Sequence, residues 1–252
     1  MIVSKMKSKS VLLVVWVFFM NMELLAHGSL RLGGNTVSQV YEDAKVVALI
    51  NAATDGRTND VERLAAQGAN VDGVGSDGTT PLIWALNARN AKGVEALLKA
   101  GANPNLATEK LGGLSPMALV SGGDSLELLE LILRYGGDAK GTGLGRRMKP
   151  LNRAAGQGRL QNVKLIVSAG ADVNEHDEYG ESAAIAAAEM ARFEVVAWLL
   201  EHNYSYDLNE LAKSVEVCQV LPDSEAQRWK NTVIDMLKAR GVKFPAFIKK
   251  TP

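Results

Sequence analysis

TPLIWALNARNAKGVEALLKAGANPN occupies residues 80–105. Thr80 offers a hydroxyl where a helix would start, and Pro81 follows in the first turn, where a missing N–H costs nothing. Ala91, Val94, Leu97 and Leu98 are spaced three, three and one apart, which puts them on one side of a second helix. Gly101 stands where that helix must end through a left-handed residue, a conformation that suits glycine. The stretch predicts a helix–turn–helix unit with one apolar stripe.

The same unit recurs. The turn residues are Gly68, Gly101, Gly136, Gly170 and Asn203, separated by 33, 35, 34 and 33 residues. Asparagine is the usual substitute for glycine in a left-handed position. Twenty residues before them lie Ala48, Pro81, Pro116, Pro150 and Ala183. Seven back come Val61, Val94, Leu129, Val163 and Val196, and four back come Leu64, Leu97, Ile132, Ile166 and Leu199. Three back come Ala65, Leu98, Leu133, Val167 and Leu200. Five copies of one stripe in one phase predict five units that bury their stripes against each other.

The residues that carry a resemblance are Thr80-Pro81-Leu82 with Leu97-Leu98 and Gly101-Ala102-Asn103. Pro150-Leu151 with Ala154-Ala155 and Gly170-Ala171-Asp172-Val173-Asn174 repeat the pattern. The chain resembles the ankyrin-repeat family over roughly residues 44–207, with a period close to that family's ~33 residues. The resemblance implies an all-α fold, an ankyrin-repeat solenoid of stacked helix–turn–helix units with short hairpin fingers. One column departs from the family. Its histidine after Thr-Pro-Leu is replaced by Ile50, Ile83, Ala118, Asn152 and Ile185, so the family's inter-repeat histidine bonds should be absent.

The expected organisation is a signal peptide (1–28), a lead-in (29–43), five repeats (44–207), a degenerate capping repeat (208–243) and a tail (244–252). In the cap, Leu208–Val217 reads as the inner helix and 224–240 as the outer one. Ser224 and Gln227 form a candidate capping box, and Trp229, Val233, Met236 and Leu237 should face inward. Glu225, Lys230, Asp235 and Lys238 should form the exposed cap surface.

Lys5, Lys7 and Lys9 precede an apolar run from Val11 to Met20, and small residues follow at Ala26 and Gly28. That is the layout of a secretory signal, and ten apolar residues fall short of the ~20 a membrane span needs. Export to a periplasm is the expectation, with no integral membrane span after processing. An uncleaved inner-membrane anchor is the rival, and a start at Met20 or Met22 would give a cytosolic form.

The whole chain has 28 basic and 28 acidic residues. Removing residues 1–28 takes away three lysines and Glu23, leaving 25 basic against 27 acidic, a net −2. A chain this close to neutral has no general field for nucleic acid. Cys218 is the only cysteine, so no intrachain disulfide forms, and an apolar surrounding sequence predicts that it is buried. The three histidines, His27, His176 and His202, have no metal-ligand spacing. Gly141, Gly143 and Gly145 lack the spacing of a phosphate loop, and Gly122-Gly123 falls at a turn. No catalytic, metal or cofactor site is predicted.

A partner is expected on the surface formed by inner helices and fingers. The predicted exposed inner-helix positions are Asn51, Trp84, Leu119, Arg153 and Ala186, with Trp84 the sharpest because tryptophan is enriched among binding hot spots. The fingers add Asp77, then Glu109 and Lys110, then Arg146 and Arg147, then His176, Asp177, Glu178 and Tyr179. A basic finger beside an acidic one could read a dipolar surface. Beyond protein binding, the chain resembles exported bacterial ankyrin-repeat immunity proteins paired with type VI secretion phospholipase effectors. That resemblance implies a toxic lipase as partner. The alternatives are a periplasmic adaptor linked to stress defence and a host-directed effector.

Overall fold

The computed structural model describes residues 31–141, 149–177 and 179–246. The predicted signal segment and the end of the tail lie outside the described residues. Among the described residues the fold is all-α apart from one ribbon of two residues per strand, and the chain divides into two compact units, residues 1–116 and 117–252.

In the first unit, β1 (Arg31–Leu32) pairs antiparallel with β2 (Asn35–Thr36). Then come α1 (Val37–Val40), α2 (Ala44–Thr54), α3 (Thr58–Ala66), α4 (Pro81–Asn87) and α5 (Ala91–Lys99). Short polar side chains start three of these helices. Asp43 accepts from the Lys45 amide, Thr80 from Ile83, and Asn90 from Gly93, each satisfying an orphan donor of a first turn. A 3₁₀ turn at Glu109–Leu111 closes the second finger.

The second unit takes up α6 (Pro116–Ser121), which begins one residue before it, and continues with α7 (Leu126–Arg134) and α8 (Pro150–Gly156). It then holds α9 (Leu160–Ser168), α10 (Ala183–Glu189), α11 (Phe193–Glu201), α12 (Leu208–Val217) and α13 (Glu225–Ala239).

Two of the three repeat columns are the core, while the third is buried at Leu98 and Leu200 and half-buried at Ala65, Leu133 and Val167. Val61, Val94, Leu129, Val163 and Val196 have no exposed surface, and neither do Leu97, Ile132, Ile166 and Leu199. Leu64, their fifth counterpart, is only half-buried. Its helix packs on α2 and α5, and among the described residues no earlier pair covers its other side. The turn residues Gly68, Gly101, Gly136, Gly170 and Asn203 all have positive φ, between 70° and 98°. Glycine holds that conformation without strain and asparagine at small cost.

Other side chains make the inter-repeat bonds expected to be missing. In the first unit Asn90 Nδ2 donates to the Thr54 carbonyl (3.1 Å) and the Tyr41 hydroxyl to the Thr79 carbonyl (2.6 Å). In the second, Asn162 Nδ2 donates to the carbonyls of Ser121 (2.9 Å) and Gly123 (3.0 Å). Asn152 stands in the family's histidine column and donates to the Glu181 carbonyl at 2.8 Å. The column thus keeps one inter-repeat donor.

Three details of the cap differ from expectation. Val233 and Leu237 are buried completely, whereas Trp229 and Met236 are half-buried. Ser224 accepts from the Gln227 amide at 3.1 Å, but the Gln227 side chain donates forward to Asn231 and leaves the box half-made. Lys230 turns inward and donates to the Cys218 carbonyl (2.6 Å), and Cys218 itself is half-buried at the end of α12. Arg240 ties the cap back, its guanidinium donating to the carbonyls of Tyr204 and Leu200.

Gly93 sits in the first turn of α5 against the end of α2. A Cβ there would lie 1.8 Å from the Ala53 carbonyl oxygen, a backbone atom that cannot swing aside. In an open helix, Gly→Ala stabilises by about 1 kcal/mol. Here the sign reverses, because α5 must withdraw from α2. Gly93→Ala should destabilise by about 1–3 kcal/mol, read as a lower urea midpoint at unchanged slope. An unchanged or higher midpoint would show that the two helices are not in this contact.

Candidate protein-binding surface

In the first unit the predicted surface is partly inside. Trp84 has no exposed area. Its indole Nε1 donates to Thr79 Oγ1 (2.9 Å), and that hydroxyl donates to Asp77 Oδ1 (2.7 Å). Asp77 Oδ1 also accepts the Thr79 amide at 2.9 Å. A buried tryptophan with a satisfied N–H is a packing residue. Trp84 is therefore corrected from docking residue to core, and Asp77 to the residue that closes the first finger. The Tyr41 hydroxyl joins the same group, and burial pushes its pKa up to about 12.

Asn51 is exposed and lines a shallow cleft of about 640 Å³ with Ser38, Gln39, Glu42, Val47 and Ala48. Glu109 and Lys110 are also exposed, but Lys110 Nζ donates back to the Ser76 carbonyl (2.7 Å). Thr108 Oγ1 donates to the Gly78 carbonyl (2.8 Å). The second finger is thereby clasped to the first.

In the second unit Ala186, expected to be exposed, is buried, and Leu119 and Arg153 are half-buried. Arg153 Nε donates to the Ala118 carbonyl at 2.8 Å, and desolvation lowers its pKa to about 10, so it stays charged near neutrality. Arg146, Arg147 and Glu178 lie outside the described residues. His176 is exposed and stacks on Tyr206, with ring centroids 4.1 Å apart and planes at 18°. Asp177 is buried, and its Oδ1 accepts the amides of Tyr179 (2.8 Å) and Glu181 (2.9 Å). Like Asp77, it shapes its finger. Tyr179 is 70% exposed.

The expected dipole between the third and fourth fingers is partly internal. The buried Lys149 ammonium donates to the Glu175 carboxylate. The two charges belong to different repeats, and nothing in their spacing of 26 residues signals the pair.

Glu181 was not predicted. Its carboxyl is pushed up to about 7 by desolvation first, then by the negative charges of Asp177 and Glu189. Among the described residues, no group of three or more His, Cys, Asp or Glu side chains could hold a metal ion. Among them, too, no helix is long and apolar enough to cross a membrane.

A family model described as ankyrin repeats (3 copies) matches residues 24–108 and again 117–210. The chain belongs to the ankyrin-repeat family, and it is a protein-binding module of that kind. It is similar to the mouse (Mus musculus) protein "Ankyrin repeat, SAM and basic leucine zipper domain-containing protein 1", 37% identical over 114 residues. The similarity covers 44% of this chain and 24% of the mouse protein, so the chain spans about a quarter of that relative's length.

Two outcomes follow from these placements. Trp84→Phe removes a satisfied buried N–H and part of a ring. It should cost about 1–3 kcal/mol in chemical denaturation, whereas an exposed tryptophan would cost almost nothing. The raised Glu181 pKa means that folding favours its protonated form. Between the ordinary 4.5 and about 7 the folded chain keeps a proton that the unfolded chain has released, so stability falls as pH rises through that window. Glu181→Gln should therefore gain thermal midpoint over the parent chain at about pH 8 and lose that gain near pH 4.5. A gap that does not change with pH would refute the assignment.

Proposed function

We propose that this chain is an exported immunity protein that binds and neutralises a cognate antibacterial toxin of the phospholipase type. Immunity demands presence where the toxin acts and a surface that stays bound, and it needs no turnover. The layout of residues 1–28 supports export, and cleavage after Ala26 or Gly28 would release the repeats into the periplasm.

The observation that carries the reading is the mutual clasping of the fingers. Lys110 holds the carbonyl of Ser76, and Asn103 N–H donates to Asp72 Oδ1 at 2.8 Å. Asn174 Oδ1 accepts the amides of Ser205 (2.7 Å) and Tyr206 (3.0 Å). Loops already ordered lose little entropy on binding, which favours slow dissociation. A stable interface needs about 1,200–2,000 Å² in all, and a wall of inner helices and fingers can supply one side of it.

The test has two arms. N-terminal sequencing of the protein from cells should give one mature start, at His27 or Ser29. A strain lacking the gene should be killed by neighbours that secrete the adjacent gene's lipase-like toxin, and the mature chain should co-purify with that toxin. Unharmed survival of the deletion strain removes the immunity reading. A catalase gene beside this one would instead favour a stress-defence adaptor.

A further inference from the structure

Each repeat leaves its outer helix through the same three-residue step. It reads Gly68-Ala69-Asn70, Gly101-Ala102-Asn103, Gly136-Gly137-Asp138 and Gly170-Ala171-Asp172 in four repeats, and Asn203-Tyr204-Ser205 in the fifth. The first residue has positive φ in all five. The third closes the turn in four: Asn70, Asn103, Asp138 and Asp172 each accept the amide two residues on, at 2.9–3.1 Å.

The fifth step departs at both ends. Asn203 holds φ 70°, which glycine would hold at less cost. Ser205 is a weaker turn former than Asx, and among the described residues it makes no bond to the Asp207 amide. Its hydroxyl reaches Asn174 Oδ1 at 3.4 Å, an oxygen that already accepts two amides. The change at the middle position has a packing reason: Tyr204 has no exposed surface, and its hydroxyl lies 2.7 Å from Ser182 Oγ. Packing gives no such reason for Asn203 and Ser205, which are both exposed.

Together the two departures create Asn-x-Ser, the acceptor pattern for N-linked sugar in exported chains. No other asparagine of the chain has serine or threonine two residues on. The acceptor amide is accessible, since Asn203 is exposed and no described residue hydrogen-bonds its side chain. A Cβ on Gly68, Gly101 or Gly136, in the same column, would meet nothing within 4 Å. The column points into open space, so bulk attached there displaces no neighbour.

We propose that Asn203 is a glycosylation site, modified during export by an N-linked oligosaccharide from a polyprenyl-diphosphate donor. The Nδ2–C1 bond forms as the C1–O bond to the diphosphate breaks. The diphosphate leaves with that bond's electron pair, and the amide nitrogen gives one proton to a base of the transferase. The Ser205 hydroxyl is part of the acceptor. Transfer precedes the seating of Tyr204, because the buried ring would hold the stretch away from an enzyme. The proposal rests on the export reading and is independent of the partner being a toxin.

The test is the mass of the tryptic peptide 193–213 from the full chain recovered from the cells that make it. The peptide should be heavier than its sequence by one oligosaccharide, with the added mass on Asn203. Asn203→Gly restores the residue of the other repeats, so thermal melts should show it folded while the whole mass shift is lost. Ser205→Ala should lose the shift and Ser205→Thr should keep it, a pattern that a role in the turn alone would not produce. An exported chain, cut at its leader, with Asn203 unmodified overturns the proposal, and so does a sugar that persists in Asn203→Gly. A second arm separates this site from the export reading. Residues 1–28 are exchanged for a proven cleavable leader in a host whose export compartment holds an N-linked transferase. If the native leader leaves the chain in the cytosol, the export reading falls. Modification of Asn203 in the exchanged chain then supports the acceptor site, and its absence overturns it.

Discussion

A helix pair of nine or so residues per helix cannot bury its own apolar stripe. Val94 and Leu97 need a surface from the next pair on each side, and the same is true of Val163 and Ile166. Burial of such columns is the main favourable term, at about 25 cal/mol per Å² of apolar surface. The arrangement of everything else answers to that demand. Where coverage is one-sided, as at Leu64, burial is incomplete. Where the series ends, α13 is longer than the repeat helices and Arg240 binds two carbonyls of the preceding pair.

Bringing helices together also buries their polar groups, and each unpaired one costs about 1–3 kcal/mol. The family's usual donor is replaced at most of its positions by isoleucine or alanine, and this chain meets the demand from other places. Asn90, Asn152 and Asn162 each reach a carbonyl of a neighbouring pair. Thr79 gathers Tyr41, Asp77 and Trp84 into one hydrogen-bonded group. Asparagine suits the role because its amide donates while its oxygen can cap a helix, as Asn90 does for Gly93.

The fingers follow the same logic with a functional consequence. Asp77 and Asp177 fold their carboxylates onto backbone amides, and Lys110 and Lys149 hold neighbouring fingers. Charges that look free in the sequence are spent on shape. The predicted surface residues that stay exposed are fewer, among them Asn51 beside its cleft and His176 and Tyr179 on the fourth finger.

Periodicity alone determined the all-α repeat, because turn glycines and apolar columns at one spacing admit no other economical packing. Helix starts at Thr80 and Ser224 were equally legible, since capping is a local interaction. The direction of Trp84 was not. Its position on the helix fitted a solvent face, and only a threonine five residues earlier, brought round by the finger, turned it into core. The Lys149–Glu175 pair, the Tyr206–His176 stack and the raised Glu181 pKa were likewise decided by tertiary structure. Each depends on how close one repeat's finger comes to the next, a distance that spacing along the chain does not carry.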